Sequence, residues 1–284
     1  MEVCFEFTDP NESFFHSLRA LVDHFLPPSA LEVAIGGVNL SELVDLILNQ
    51  GAVGTLVIQE GGDDVFAFIT ALPLQFHRSV PAVASLCNFL LKSAGDQCRP
   101  ALEKLLGKGE KQEGADDGEA RPKVGLLLRE QMVNLPLQIM PKLHEALQED
   151  IAWALENEIT EEHKEKFRYD YYLLVAPCDG AADSSEGAKG SSSSAAGVRL
   201  QDLYFHRFDD EVFFEAAELF FAIPMPSAAP GATAHTGSNE GEGGAKGKGK
   251  AKEDLVRRYR AVAVLKSDAY AECVEKVKMM VGEA

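Results

Sequence analysis

Basic residues are scarce in this sequence. Its 284 residues include 27 Lys and Arg against 45 Asp and Glu, which gives a formal net charge of −18. A surface so rich in carboxylates repels phosphate backbones and anionic lipid headgroups, so we expect no direct binding to nucleic acid or to membranes. The same charge favours a basic protein as the partner.

Long hydrophobic runs and paired cysteines are also missing. No stretch reaches the roughly eighteen apolar residues of a membrane-spanning helix, and Met1–Glu6 has no basic region of the kind that begins a signal peptide. The five cysteines are widely separated, and none forms a C-x-x-C pair. An odd number of scattered cysteines indicates free thiols in a reducing compartment, so we expect an intracellular protein.

The sequence lacks the motifs of common catalytic and cofactor sites. It contains no H-E-x-x-H, no G-x-S-x-G and no G-x-G-x-x-G, and its seven histidines are dispersed. The segment Gly244–Ala251 approaches a phosphate-binding loop, but it ends in Ala where Mg²⁺ needs a hydroxyl group, and it follows no predicted strand. We therefore expect no catalytic residue, no cofactor and no metal.

Three segments have too little apolar content to pack. They are residues 107–123, 179–199 and 227–253, and we expect them to be disordered insertions within a single domain that spans residues 1–284. The last contains Lys246–Lys252, in which Lys alternates with Gly or Ala. This tract is open to two interpretations, a nuclear-import signal or a solubilising linker.

The remaining segments alternate between strand and helix patterns. A short strand at 3–7 precedes a helix that begins at Asp9–Glu12, where an N-cap residue, Pro and Glu follow one another. Further elements are a helix from Asn39, a hairpin, two helices before Gly107, a buried strand at Val124–Leu128, a long helix through Leu155, strands at 171–176 and 258–266, and a last helix. This order predicts an α/β fold, with a single mixed sheet and flanking helices.

Two regions are harder to interpret. The segment Leu203–Pro224 is rich in Phe, and we expect a strand to Phe208, a turn at Asp209–Asp210, and then a strand or a short helix. Trp153 lies one position off the apolar stripe of the long helix. We predict that it lies at the edge of the core, with an interface anchor as the alternative.

The acidic excess is concentrated in segments that are expected to fold. Residues 1–64 contain eleven acids and one base, residues 145–165 eight acids and one base, and residues 200–226 six acids and one base. These runs either form a solvated surface or bind a cationic partner. For the second case, the candidate partner-binding residues are Glu145, Glu149, Asp150, Asp209, Asp210 and Glu211.

The segment Val124–Pro136, which reads VGLLLREQMVNLP, resembles the signature VGLLLSERFINVPPQ of the BCCIP family of eukaryotic nuclear proteins. The similarity continues through 139–147, Tyr171–Val175 and Leu203–Phe214, and it covers essentially all segments that are expected to fold. It implies a fold like that of the GCN5-related acetyltransferases, without their activity. The turn Gln131–Pro136, where those enzymes hold coenzyme A on glycine-rich backbone, contains no glycine, and proline lacks a donor N–H group.

The resemblance also implies a role in nuclear assembly of the large ribosomal subunit. The yeast member of the family resembles a chaperone for one basic large-subunit ribosomal protein and assists nuclear export, so we expect a nuclear, monomeric protein with a basic ribosomal partner. Animal members also bind a breast-cancer-susceptibility protein and a cyclin-dependent kinase inhibitor. An adaptor in cell-cycle or DNA-repair complexes is therefore the first alternative, and an acyltransferase with an altered coenzyme site is the second.

Overall fold

Strands and helices alternate along the chain, as the hydrophobic periodicity predicts. The computed structural model describes residues 4–25, 38–107, 121–181, 198–225 and 256–282. The strands in these ranges are β1 (Phe5–Thr8), β2 (Thr55–Gln59), β3 (Val65–Pro73), β4 (Val124–Gln131), β5 (Tyr171–Ala181), β6 (Leu203–Phe205), β7 (Leu219–Pro224) and β8 (Val256–Lys266). The α-helices are α1 (Phe15–Phe25), α2 (Leu40–Leu48), α3 (Pro81–Ser93), α4 (Arg99–Leu106), α5 (Ile139–Asn157), α6 (Glu161–Lys166), α7 (Phe208–Glu215) and α8 (Ser267–Val281).

The strands form one mixed sheet, which confirms the α/β prediction. Their order is β1-β2-β3-β4-β5-β8-β7, and β6 pairs with β5 outside this row. All neighbouring strands are antiparallel except β4 and β5, which pair in parallel from Val124 with Tyr171 to Leu127 with Leu174. Beyond that short register the two strands no longer pair, although both continue. The centre of the sheet therefore opens on the side of their carboxyl ends.

Helices cover both faces of the sheet. Leu126 and Leu128 of β4 point into a core with α1 to α4, whereas Leu127 points into a second core with α5, α7 and α8. This alternation explains why Val124–Leu128 reads as a continuous apolar run: successive side chains of a strand point to opposite faces, and here both faces are buried. A third, smaller cluster joins Phe214 of α7 to the distal parts of β5, β7 and β8.

Helix starts follow the predicted capping residues in one case and differ by two positions in another. The Asn39 side chain accepts hydrogen bonds from the backbone N–H groups of Ser41 and Glu42, as an N-cap residue should. At the first helix the cap is Asn11 and not Asp9. The Asn11 side chain accepts from the N–H of Ser13, and a 3₁₀ turn (Glu12–Phe14) precedes α1.

The predicted unpacked segments were too wide at their ends. Residues 179–181 continue β5, because β8 begins at Val256 and pairs with them. Asp179 also pairs with Tyr204 of β6 on the other side. Gly107 ends α4, and the N–H of Lys123 donates to the Asp170 carboxylate at 2.7 Å. Residues 121–122 and 198–199 are also described. The other parts of these segments, including Lys246–Lys252, lie outside the described residues. Within the described ranges, no helix combines the length and the apolar character that crossing a membrane would need.

Candidate functional site

The long helix α5 presents most of its acidic side chains away from the sheet. Leu143, Leu147 and Ala154 pack into the core, and Glu149 is exposed on the outward side. Glu145 is half-buried at the same side, where Lys278 of α8 donates to its carboxylate at 2.5 Å. The predicted residues Glu145 and Glu149 therefore share one helix surface, and of the two only Glu149 forms no ion pair with the described part of the chain.

Asp150 serves the fold as well as the surface. Its Oδ2 accepts hydrogen bonds from the N–H of Gly54 at 3.1 Å and from Thr55 Oγ1 at 3.2 Å, which joins α5 to the start of β2. Burial raises the pKa of Asp150, and these two hydrogen bonds oppose that shift. Gly54 has φ +142°, and a Cβ atom there would lie 3.0 Å from Thr70 Oγ1, so glycine keeps this N–H in reach of the carboxylate.

Asp209 and Asp210 are not part of an exposed face, which corrects the expectation that they belong to the acidic surface. They lie in the first turn of α7, which begins at Phe208 where we expected a strand to end, and their exposed fractions are 0% and 1%. Two buried arginines draw them inward, because a buried carboxylate is tolerated only with a cationic partner. Glu211, the next residue, is exposed on α7. Of this trio, only Glu211 remains a candidate for partner binding.

A buried ion cluster holds α7 against β4. Arg129 on β4 forms ion pairs with Asp209 and Asp210, and Arg207 donates to Asp210 Oδ2 at 3.0 Å. The guanidinium of Arg207 also donates to Glu130 Oε1 at 2.8 Å and to the backbone carbonyl of Arg129 at 3.1 Å. That carbonyl lies past the last pair between β4 and β5. Arg207 therefore supplies a donor at the point where the neighbouring strand has diverged.

His144 joins the cluster from α5 as a neutral residue. Burial lowers its pKa well below the ordinary value, and the charges of Arg129 and Arg207 add to that effect. Arg129 Nη1 lies 3.3 Å from His144 Nε2, and Tyr270 Oη lies 2.7 Å from Nδ1. Because a guanidinium can only donate, we assign the tautomer in which Nε2 accepts and Nδ1–H donates to Tyr270. In this tautomer, Asp209 Oδ2, 3.4 Å from Nε2, is a close contact only.

The cluster contains charged residues that the sequence pattern did not reveal as a group. Arg129 directly follows the apolar run Val124–Leu128, and an Arg at the end of a strand buried on both faces needs a carboxylate partner. That signal identifies one member, but it does not identify Arg207 or His144, which come from distant positions. Among the described residues, no three His, Cys, Asp or Glu side chains are grouped as metal ligands would be.

Trp153 is not at the edge of the core, so the first interpretation of its position is wrong. It is 55% exposed. Trp153 is six residues after the buried Leu147, which at about 100° per residue places it about 120° from the core side of α5. Glu149 and Glu156 are exposed one turn before it and one turn after it. Ile159, just past the end of the helix, is 94% exposed.

Comparison with known proteins agrees with the residues that carry the resemblance. The family model described as BCCIP matches residues 1–213. The chain belongs to the BCCIP family. The BCCIP homolog of Arabidopsis thaliana is 32% identical over 78% of this chain, and the match spans 63% of that protein's own length. The protein bcp1 of Emericella nidulans is 29% identical over 75% of this chain and 68% of that relative.

A solved member of the family has a similar fold. The crystal structure of BCP1 from Saccharomyces cerevisiae superposes with a TM-score of 0.59 at 17% identity, and the match covers 98% of this chain and 88% of that chain. At this level of identity the similarity supports the fold of the BCCIP-family chain and leaves the roles of its residues to its own geometry. None of these family names is the name of an enzyme. The likeness to the GCN5-related acetyltransferases stays a prediction.

Proposed function

We propose that this protein is a non-enzymatic acidic chaperone or escort for a basic ribosomal protein of the large subunit, and that it acts in nuclear ribosome assembly and export. Membership of the BCCIP family supports this role. The observation that carries it is the set of exposed carboxylates on α5 and α6 that form no ion pair within the described part of the chain: Glu149, Glu156 and Glu162.

The charge balance of this region supports a cationic ligand over a simple solvated surface. Repulsion between like charges on one helix costs stability, so a surface that served solubility alone would do as well with Lys interleaved among the acids. A basic ribosomal protein has the complementary charge. Phosphates of ribosomal RNA compete for the same Lys and Arg side chains, so an electrostatic complex releases its cargo when the RNA site becomes available.

The buried ion cluster argues against acyl transfer. The gap between the diverging ends of β4 and β5 is occupied by Arg129, Arg207 and the first turn of α7. The following turn, Gln131–Pro136, offers no glycine backbone to a pyrophosphate. We therefore expect calorimetric titration of the full chain with acetyl-coenzyme A to show no binding. Micromolar binding would contradict the proposed absence of this activity.

Capture of a purified basic large-subunit ribosomal protein tests the chaperone role. We expect the full chain to keep that protein soluble at low salt and to lose it progressively as ionic strength rises, because the Debye length falls to about 10 Å at 0.1 M salt. Replacing Glu149, Glu156 and Glu162 with Gln removes three charges from the face. If each contributes as an exposed ion pair does, affinity falls roughly 3- to 150-fold.

A matched control lies in the turn between β2 and β3. Glu60, Asp63 and Asp64 are exposed there and form no ion pair in the described structure. Their replacement by Gln, Asn and Asn removes the same net charge at the end of β2 opposite to the end that Asp150 contacts. Equal loss of capture in both triple variants would show that net charge alone matters and that α5 is not the binding face.

A further inference from the structure

Trp153 is the one tryptophan in the sequence, and it stands on the outside of an acidic helix. Tryptophan side chains are highly buried on average, whereas 55% of the Trp153 side chain is exposed. Tryptophan is also one of the residue types enriched among those that dominate binding energy at protein interfaces. Its position therefore needs an explanation beyond the solubility of the face.

The neighbours of Trp153 define the chemistry of this surface. Glu149 lies four residues before it and Glu156 three residues after it, and positions at these separations are adjacent on a helix surface. Both carboxylates are exposed and form no ion pair with the described residues. An indole ring thus lies between two free carboxylates along one side of α5, a surface that we call the indole–carboxylate strip (Glu149, Trp153, Glu156).

We infer that the indole–carboxylate strip binds an arginine side chain within an arginine-rich segment of a protein partner. A guanidinium is planar, is only weakly hydrated, stacks on aromatic faces, and donates two parallel hydrogen bonds to a carboxylate. The strip offers both of these partners within one helical turn. Lysine fits it less well, because its ammonium is a compact, strongly hydrated charge with no planar face.

This inference rests on the proposed function, and it names the segment of the cargo that the acidic face contacts. Charge complementarity selects a polypeptide over RNA, although RNA bases also stack on aromatic rings. The two carboxylates next to Trp153 and the net charge of −18 repel the phosphates that would accompany each base.

Tryptophan fluorescence measures binding at this site directly, since all tryptophan emission of the protein comes from Trp153. The full chain is titrated at low salt with an unlabelled peptide of alternating Arg and Gly. Parallel titrations use the same peptide with Lys in place of Arg, and oligouridine RNA. We expect a saturable change in emission with the Arg peptide and weaker binding of the Lys peptide. Equal binding of the two peptides, or saturable binding of the RNA alone, would overturn the inference.

Variants separate the indole from the carboxylates. Because W153A and W153F lack the indole emission, binding of a labelled Arg peptide is followed by fluorescence anisotropy in all variants. W153A should weaken binding about 2- to 30-fold, and W153F should retain part of the affinity, because the ring contributes a cation–π contact. E149Q with E156Q should weaken it by a similar factor, whereas E60Q with D64N, the control in the β2–β3 turn, should change it little. Circular dichroism melts establish that each variant is folded.

The experiments distinguish a failure of this inference from a failure of the proposed function. If the wild-type chain captures the basic ribosomal protein and W153A captures it equally well, the strip is not the contact, and the chaperone role stands. If the Arg peptide binds at Trp153 but no basic ribosomal protein is captured, the strip is a binding site and the proposed cargo is wrong.

Discussion

Replacing Asp210 with Asn isolates the energetic role of the buried ion cluster. The Asp210 carboxylate is 1% exposed and pairs with both Arg129 and Arg207. The substitution keeps the shape of the side chain but leaves the two buried guanidinium groups with one fewer negative charge. It also places an amide N–H₂ group where only an acceptor fits. We therefore expect a loss of stability and not a rearranged surface.

The expected magnitude follows from the burial of both partners. Removing one member of a buried pair costs about 3–5 kcal/mol, because the remaining charge stays buried without compensation. Domains of this kind are stable by roughly 5–15 kcal/mol in total, so D210N should lose between about a fifth and all of that stability. Burial already lowers the pKa of Arg129 to about 10, with Asp210 as the largest opposing influence. The pKa of Arg129 should therefore be still lower in the variant.

Urea denaturation followed by far-UV circular dichroism measures this effect. Fluorescence is a poor probe of unfolding here, since the tryptophan is already exposed in the native state. E211Q provides the control, because it removes a charge from the adjacent, exposed position of the same helix and should change stability by no more than about 0.5 kcal/mol. If D210N and E211Q differ by less than about 1 kcal/mol, the cluster does not hold α7 to the sheet as described.

Two further expectations concern single groups. Native His144 has a depressed pKa while the unfolded chain has the ordinary value near 6.5, so as pH falls below that value the unfolded state takes up a proton that the native state refuses. The free energy of unfolding should fall by up to about 1.4 kcal/mol per pH unit between pH 6.5 and 5, and H144Q should show a shallower slope in urea denaturation at each pH; equal slopes would refute the neutral assignment. Acrylamide should quench the emission of Trp153 in the free protein nearly as well as that of a free indole derivative, and weak quenching would show that the ring is covered.

Elements with strong local patterns were predictable from the sequence. The Asn39 cap, the β2–β3 hairpin, the buried strand at Val124–Leu128 and the helix α5 all agree with the structure, because each is specified by neighbouring residues alone. The segment after Leu203 was harder, since its Phe residues pack on three different clusters and show neither a strand nor a helix period. Its actual helix, α7, begins with buried acids that pair with Arg129, far away in the sequence, and with the nearby Arg207.

The sequence predicted which acidic residues belong to the candidate site but not which of them are exposed. Charge counting finds α5 as an acidic helix, yet it treats Glu149 and Asp210 as equivalent. The structure separates them, because the burial of Asp210 depends on Arg129, 81 positions away. The exposure of Trp153 was mispredicted for a related reason. One position off the apolar stripe is a small difference in sequence, but it rotates the side chain by about 100° around α5, toward solvent.

The position of β8 in the sheet has a consequence for synthesis of the protein. β8 pairs with β5 along its full length, yet 74 residues separate Ala181 from Val256. At ribosomal speeds of about 5–20 residues per second, β5 leaves the exit tunnel roughly 4–15 s before β8 begins to leave it. During that interval an apolar strand has an open edge in the nascent chain. Folding of the sheet centre must therefore wait until the late strand emerges.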